Sequence, residues 1–151
     1  MPEQQPPPGL QGPHVAMAVI CERVLQEQDG VLSIIRVIDR IIHSRSGPDV
    51  PTEMPPVEFN LTILVTLKSG AARGRRTIKI RPETPAGVQL QENELPILFE
   101  GEERGTNLII NVGLKAEYEG LYWFDVLLDD NTLLTRIPLR IIYQPQRTAG
   151  M

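Results

Sequence analysis

The chain has 151 residues, enough for one domain with a hydrophobic core and too few for two ordinary ones. Its formal net charge of -4 offers no global field for nucleic acid or an acidic membrane, and its single cysteine, Cys21, excludes an internal disulfide and a multi-cysteine zinc site. With three Phe, three Tyr and one Trp, the core must be built from aliphatic side chains.

The opening "MPEQQPPPGLQGP" mixes proline with Gln and Gly and holds too little apolar surface to offset its ordering entropy, so residues 1–13 are expected to form a disordered Pro/Gln-rich arm. It lacks a clean PxxP with a basic anchor. It also lacks the basic start and apolar run of a secretory signal, and no stretch approaches the roughly 20 apolar residues that cross a bilayer. The expectation is a cytoplasmic protein without membrane contact.

Next comes "EQDGVLSIIRVIDRII", residues 27–42, which can be read two ways. Val31, Ile34, Ile35, Ile38, Ile41 and Ile42 recur with the spacing of one helical face. Yet Asp29-Gly30 is a hairpin signal and the run after it is largely β-branched. The patterns further along the chain favour a strand across Val31 to Ile42 that pairs back onto "VAMAVICERVL".

In "VEFNLTILVTLK", Phe59, Leu61, Ile63, Val65 and Leu67 alternate with Glu58, Asn60, Thr62, Leu64, Thr66 and Lys68, the pattern of a strand with one buried face. The sequon-like Asn60-Leu61-Thr62 lies inside it. Shorter strands are expected around Thr77 to Arg81, Val88 to Gln91 and Leu95 to Phe99, and "GTNLIINVGL" turns Leu108, Ile110, Val112 and Leu114 inward. "LYWFDVLLDDNTLLTRIPLRIIY" reads as two strands joined at Asp129, Asp130 and Asn131. On its second arm Thr135, Ile137, Leu139, Ile141 and Tyr143 face one way, and Arg136, Pro138 and Arg140 the other. Pro138 has no N–H for a ladder and predicts an edge or a bulge. Many short strands with regular turn signals point to an all-β antiparallel sandwich over residues 14–144, followed by a flexible tail over 145–151.

Three stretches carry a resemblance: "AVICERVLQEQDGVLSIIRVIDRI", "FNLTILVTLK" and "EGLYWFDVLLDDNTLLTRIPLRI". Together, in order and spacing over Val15 to Tyr143, they resemble a family of small bacterial proteins of unknown function. The resemblance implies an immunoglobulin-like β-sandwich of about seven to nine strands, without an assigned activity or site residues. Glu119-Gly120-Leu121-Tyr122-Trp123-Phe124 is also similar to the segment of immunoglobulin-like domains that carries an acidic residue, a Gly and a Tyr. Phe124 stands where those domains place a cysteine. Tyr122, Phe124, Val126 and Leu128 share a face, and a buried Tyr122 needs a backbone partner for its hydroxyl.

Trp123, with Leu121 and Leu127 on the opposite face, makes that face more apolar than a solvated one. It is one candidate binding surface. A second is the basic stripe of Arg75, Lys79 and Arg81 in "RGRRTIKIR", extended by Arg73, whose donors suit phosphate or carboxylate. The stripe lacks aromatic residues for stacking on nucleic acid, and the acidic "ENELPILFEGEE" is the other neighbour it can have. Cys21 alternates with Met17 and Val19 and reads as a small core hydrophobe. The histidines, His14 beside the arm and His43 at the start of a loop, match no nucleophile or ligand spacing. Asp129, Asp130 and Asn131 are turn residues that fit no EF-hand loop, and Asp39 with Arg40 reads as a local ion pair. No catalytic residue, metal site or cofactor is expected. The function expected is a non-enzymatic module for protein–protein interaction or self-association. Anion binding through the stripe is the alternative, with nucleic acid disfavoured, and an unidentified enzyme comes last.

Overall fold

The computed structural model describes residues 12–148, so the expected arm falls almost wholly outside the described residues. Among these residues the chain is all-β: β1 (His14–Gln26), β2 (Leu32–Val37), β3 (Arg40–Gly47), β4 (Val57–Lys68), β5 (Arg73–Glu83), β6 (Asn93–Glu100), β7 (Gly105–Ala116), β8 (Gly120–Leu128) and β9 (Leu133–Arg147). They form a four-stranded sheet in the order β2-β1-β4-β7 and a five-stranded sheet in the order β3-β9-β8-β5-β6. The five-stranded sheet curls into a half-barrel. No helix among the described residues is long and apolar enough to cross a membrane.

The period of two explains the core. Leu61, Ile63, Val65 and Leu67 of β4 and Leu108, Ile110, Val112 and Leu114 of β7 turn to one side. Ile78 and Ile80 of β5, Tyr122, Phe124 and Val126 of β8, and Ile137, Leu139 and Ile141 of β9 meet them in one buried cluster. Each large apolar side chain removed from water there stabilises the fold by about 1.5–3 kcal/mol before ordering costs. Tyr122 is fully buried, and its hydroxyl donates to the Tyr118 carbonyl at 2.6 Å, the backbone partner that its burial requires.

Residues 27–42 are neither a helix nor one strand. Asp29 accepts the Val31 N–H at 3.0 Å through Oδ1, Gly30 takes φ +84°, and β2 returns antiparallel onto β1 with Val24 opposite Ile34. Arg36 then adopts φ +53°, and the chain leaves for the other sheet as β3, pairing parallel with β9 from Arg40 opposite Arg140. The antiparallel expectation therefore fails at this one pair. A parallel partner is reached because β3 enters by a crossover rather than by a hairpin. His43 sits inside β3, its ring edge-on to Phe59 and stacked near Tyr143.

Val88 to Gln91 is a loop and not a strand. Thr84 holds it: its N–H donates to Val88 O, its hydroxyl accepts the Val88 N–H and its carbonyl accepts the Gly87 N–H, leaving a single bridge between Glu83 and Gln89. At the C-terminus β9 continues to Arg147, opposite Gly47, three residues beyond the expected domain end. Pro138 is accommodated on the side of β9 that β3 has not yet reached. Arg140, two residues on and pointing the same way, donates to Asp39 O, so Pro138 stands just before the pairing begins.

Candidate functional site

Strand alternation puts most of the candidate residues on the outer face of the five-stranded sheet. Trp123 of β8 lies half-buried between Glu83 of β5 and Pro138 of β9. The Arg136 guanidinium stands over its ring, 4.6 Å from the centroid. Leu121, also half-buried, is opposite Arg140. Leu127 points outward by alternation but is only 2% exposed, at a register shift beside Val126 and flanked by Lys79 and Leu133. The three residues thus do not form one open apolar patch.

The basic stripe shares this face and is neutralised at Arg81. Arg81 approaches Glu92 at 3.5 Å and Asp125 at 3.9 Å, and Lys79 Nζ reaches Asn131 Oδ1 at 3.3 Å. Arg73 approaches Glu102 at 3.7 Å, while Arg75 is exposed opposite Leu98. Within "ENELPILFE", Asn93–Glu100 is β6, paired along β5 with Lys79 opposite Glu94. Asp125 was not among the expected site residues, yet it organises the face. Arg136 Nε donates to Asp125 Oδ1 at 2.6 Å and Nη2 to Glu83 Oε2 at 2.7 Å, so Glu83, Arg136, Asp125, Arg81 and Glu92 form a chain of alternating charge. Its hydrogen bond to Asp125 raises the Arg136 pKa. The signal in the sequence was an outward acid in the otherwise apolar "YWFDVLL".

The acidic turn is spent on structure. Arg76 grips Asp129 with Nε at 2.9 Å from Oδ1 and Nη2 at 2.7 Å, and the Thr77 N–H adds a contact at 3.3 Å, which holds the Asp129 carboxyl below its ordinary range. Asp130 is lowered chiefly by hydrogen bonding to Thr132, and Asn131 takes φ +64°. Among the described residues no three His, Cys, Asp or Glu side chains gather as a metal site.

The outer face of the four-stranded sheet carries the larger apolar surface. Cys21 is buried, but on this outer side, opposite Val37 and Thr62. Its own row runs on through Thr62 to Asn111, and the next row along the face is Val19, Leu64 and Ile109, in register across β1, β4 and β7. On the same side are Met17, Leu25, Ile35, Val37 and, at the hairpin mouth, Val31. Burial raises the Cys21 pKa, and neither histidine is its ladder neighbour. Five of the ten exposed large apolar side chains among the described residues lie on this face: Met17 (37%), Leu25 (40%), Val31 (61%), Val37 (61%) and Ile109 (41%). Thr62 and Thr66 hydroxyls bond the Asn111 and Asn107 amide oxygens at 3.2 and 2.8 Å and flank the Val19, Leu64, Ile109 row. Alternation alone marks Leu64 as an outward residue, and only cross-strand register joins it to Val19 and Ile109.

A cleft of about 750 Å³ opens where β7 and the 84–91 loop diverge, floored by Val112, Leu114, Leu90 and Tyr122. Neither histidine nor Cys21 lines it, and the Tyr122 hydroxyl is committed to Tyr118.

The family model that matches this chain, described as a family of unknown function (DUF6941), covers residues 16–142, and the chain belongs to that family. No curated protein matches it.

Proposed function

We propose that this member of a family of unknown function is a non-enzymatic β-sandwich interaction module, docking a protein surface through the outer face of its β2-β1-β4-β7 sheet. The observation that carries the reading is the collection of Met17, Leu25, Val31, Val37 and Ile109 on that one face. Scattered apolar residues are ordinary on a soluble protein, but five gathered on one sheet face, with Arg23 and the Thr–Asn pairs among them, make the mixed apolar and polar surface of an interface. The Trp123 face is a weaker candidate, since Arg136 covers the ring and Leu127 is buried. Anion binding is weaker too, because Arg81 already faces two carboxylates. The immunoglobulin-like reading of the sandwich belongs with this proposal and is supported by the Tyr122 to Tyr118 hydrogen bond at the start of β8.

The test compares the wild type with Met17→Asp/Val37→Asp in light scattering and in quantitative affinity capture. The expected result is that an association made by the wild type is lost in the variant while its circular dichroism is unchanged. Identical association of the two proteins would overturn the reading.

A further inference from the structure

The four-stranded sheet ends at β7, and this edge differs from the other three. β6 carries Pro96 and the exposed Glu94 and Glu100, β3 carries Arg40 and Arg45, and β2 is distorted by the positive φ of Arg36. Proline, charge and local distortion all discourage pairing with another strand. β7 runs for 12 residues, "GTNLIINVGLKA", with no proline and Lys115 as its one charge.

The parity of the ladder shows which groups lie on that edge. Ile38 N–H donates to Ile20 O, so the even residues of β1 bond to β2 and the odd ones, Val19 and Cys21, to β4. Carrying the alternation across β4 turns Ile63 and Val65 to β7, and Ile110 and Leu108 back to them. The N–H and C=O groups of Gly105, Asn107, Ile109, Asn111 and Gly113 then point away from β4, at an edge that no strand among the described residues covers.

We propose that a second copy of this chain pairs antiparallel with that edge, in the register that sets Ile109 against its own counterpart on a two-fold axis. This rests on the interaction-module reading and names its partner. The outward residues of β7 read Gly105, Asn107, Ile109, Asn111 and Gly113, which is self-complementary about Ile109. Gly105 opposes Gly113 and Asn107 opposes Asn111. A two-fold interface demands this kind of self-complementarity.

The glycines add a charge match. A Cβ at Gly105 would lie 3.0 Å from Lys68 Nζ, and one at Gly113 would lie 3.0 Å from Glu58 Oε1, so these two β4 side chains reach across β7 over its glycines. In the proposed register each Lys68 meets the other copy's Glu58 over a Gly–Gly pair. Sliding the strands so that Ile110 lies on the axis instead sets Gly105 against Lys115 and brings Lys68 to Lys115. The Asn107 and Asn111 oxygens already accept from Thr66 and Thr62. Their amide N–H groups then extend the polar ladder into the second copy, beside a continuous row of Val19, Leu64 and Ile109.

The decisive experiment is register-specific cross-linking of the full chain with light scattering. Ile109→Cys is expected to give a disulfide-linked dimer on mild oxidation, since paired antiparallel residues sit within disulfide reach, whereas Asn107→Cys, four residues out of register with itself, gives none. Ile109→Pro removes a donor from the open edge without taking one from β4 and is expected to leave a monomer. Glu58→Lys is expected to raise the dimer Kd roughly tenfold, and Glu58→Lys/Lys68→Glu to restore it. If Ile109→Pro fails to fold, the cysteine pair still decides. A chain that stays monomeric at high micromolar concentration, or that cross-links equally through position 107, overturns the pairing. A monomer whose Met17→Asp/Val37→Asp variant still loses a partner overturns this pairing and leaves the interaction-module reading standing.

Discussion

Ile38 and Asp39 are consecutive residues that hydrogen-bond into different sheets: Ile38 N–H donates to Ile20 O at 2.7 Å, and Asp39 O accepts from Arg140 N at 3.1 Å. The change of sheet is set up two residues earlier by Arg36 at φ +53°, a left-handed conformation that favours glycine. Arg36→Gly is expected to leave stability within about 1 kcal/mol of the wild type, because relief of the backbone strain offsets the greater freedom of glycine in the unfolded chain. Arg36→Val, β-branched at the same φ, is expected to lose about 1–2 kcal/mol in urea unfolding. Equal stability of the two variants would remove backbone strain as the cause.

Tyr122→Phe keeps the buried ring and deletes the hydroxyl that donates to Tyr118 O. A loss of about 1–2 kcal/mol in chemical denaturation is expected, because a carbonyl near the surface keeps part of its solvation. A variant as stable as the wild type would mean the bond adds nothing to the corner before β8.

The turn between β8 and β9 makes the fold sensitive to acid. The Asp129 carboxyl is held below its ordinary range chiefly by its hydrogen bond to Arg76. A carboxylate lowered in the folded state contributes stability above its unfolded pKa, and that contribution is lost as pH falls through the folded value. Asp129→Asn is therefore expected to be less stable at neutral pH and to lose less on acidification. Melting temperatures of both proteins between neutral pH and pH about 3 would show the two curves converging, and parallel curves would contradict the assignment.

Arg136 packs on Trp123 and also bonds Asp125 and Glu83. A double-mutant cycle of Trp123→Ala and Arg136→Lys should yield a coupling of about 0.5–1 kcal/mol, since lysine keeps the charge but loses the planar stack. A coupling near zero would reduce the contact to proximity.

Cys21 is 1% exposed, and burial raises its pKa, which lowers its thiolate fraction. Its thiol is expected to react slowly with a thiol-specific reagent in the folded protein and at the rate of a free cysteine in denaturant. Rapid labelling of the native chain would show that this outer row opens.

Much of the fold is legible locally. Alternation in "VEFNLTILVTLK" and "LLTRIPLRIIY" assigns the inward residues of β4 and β9, because side-chain direction along a strand depends on parity alone. Asp29-Gly30 places the first hairpin for the same local reason. Residues 31–42 defeat this reading. The ladder with β1 runs unbroken through Arg36, with Ile35 opposite Arg23 and Val37 opposite Cys21, and parity changes only between Ile38 and Ile41, which both face the core where the chain passes from one sheet to the other. Val88 to Gln91 has strand-like composition, but Pro85 and Gly87 close it into a turn.

The sites divide along the same line. By itself the sequence determined an all-β chain, the buried faces of its long strands, the need of Tyr122 for a hydroxyl partner and the structural use of the 129–131 turn. Each depends on residue type and on spacing within one strand. Only the tertiary structure decided that Arg81 lies between two acids while Arg75 stays exposed, that Leu127 is buried, and that Val19, Leu64 and Ile109 form one row beside Cys21. Those facts depend on which strands are neighbours and in what register, and register is set by the packing of the whole sheet rather than by any one strand.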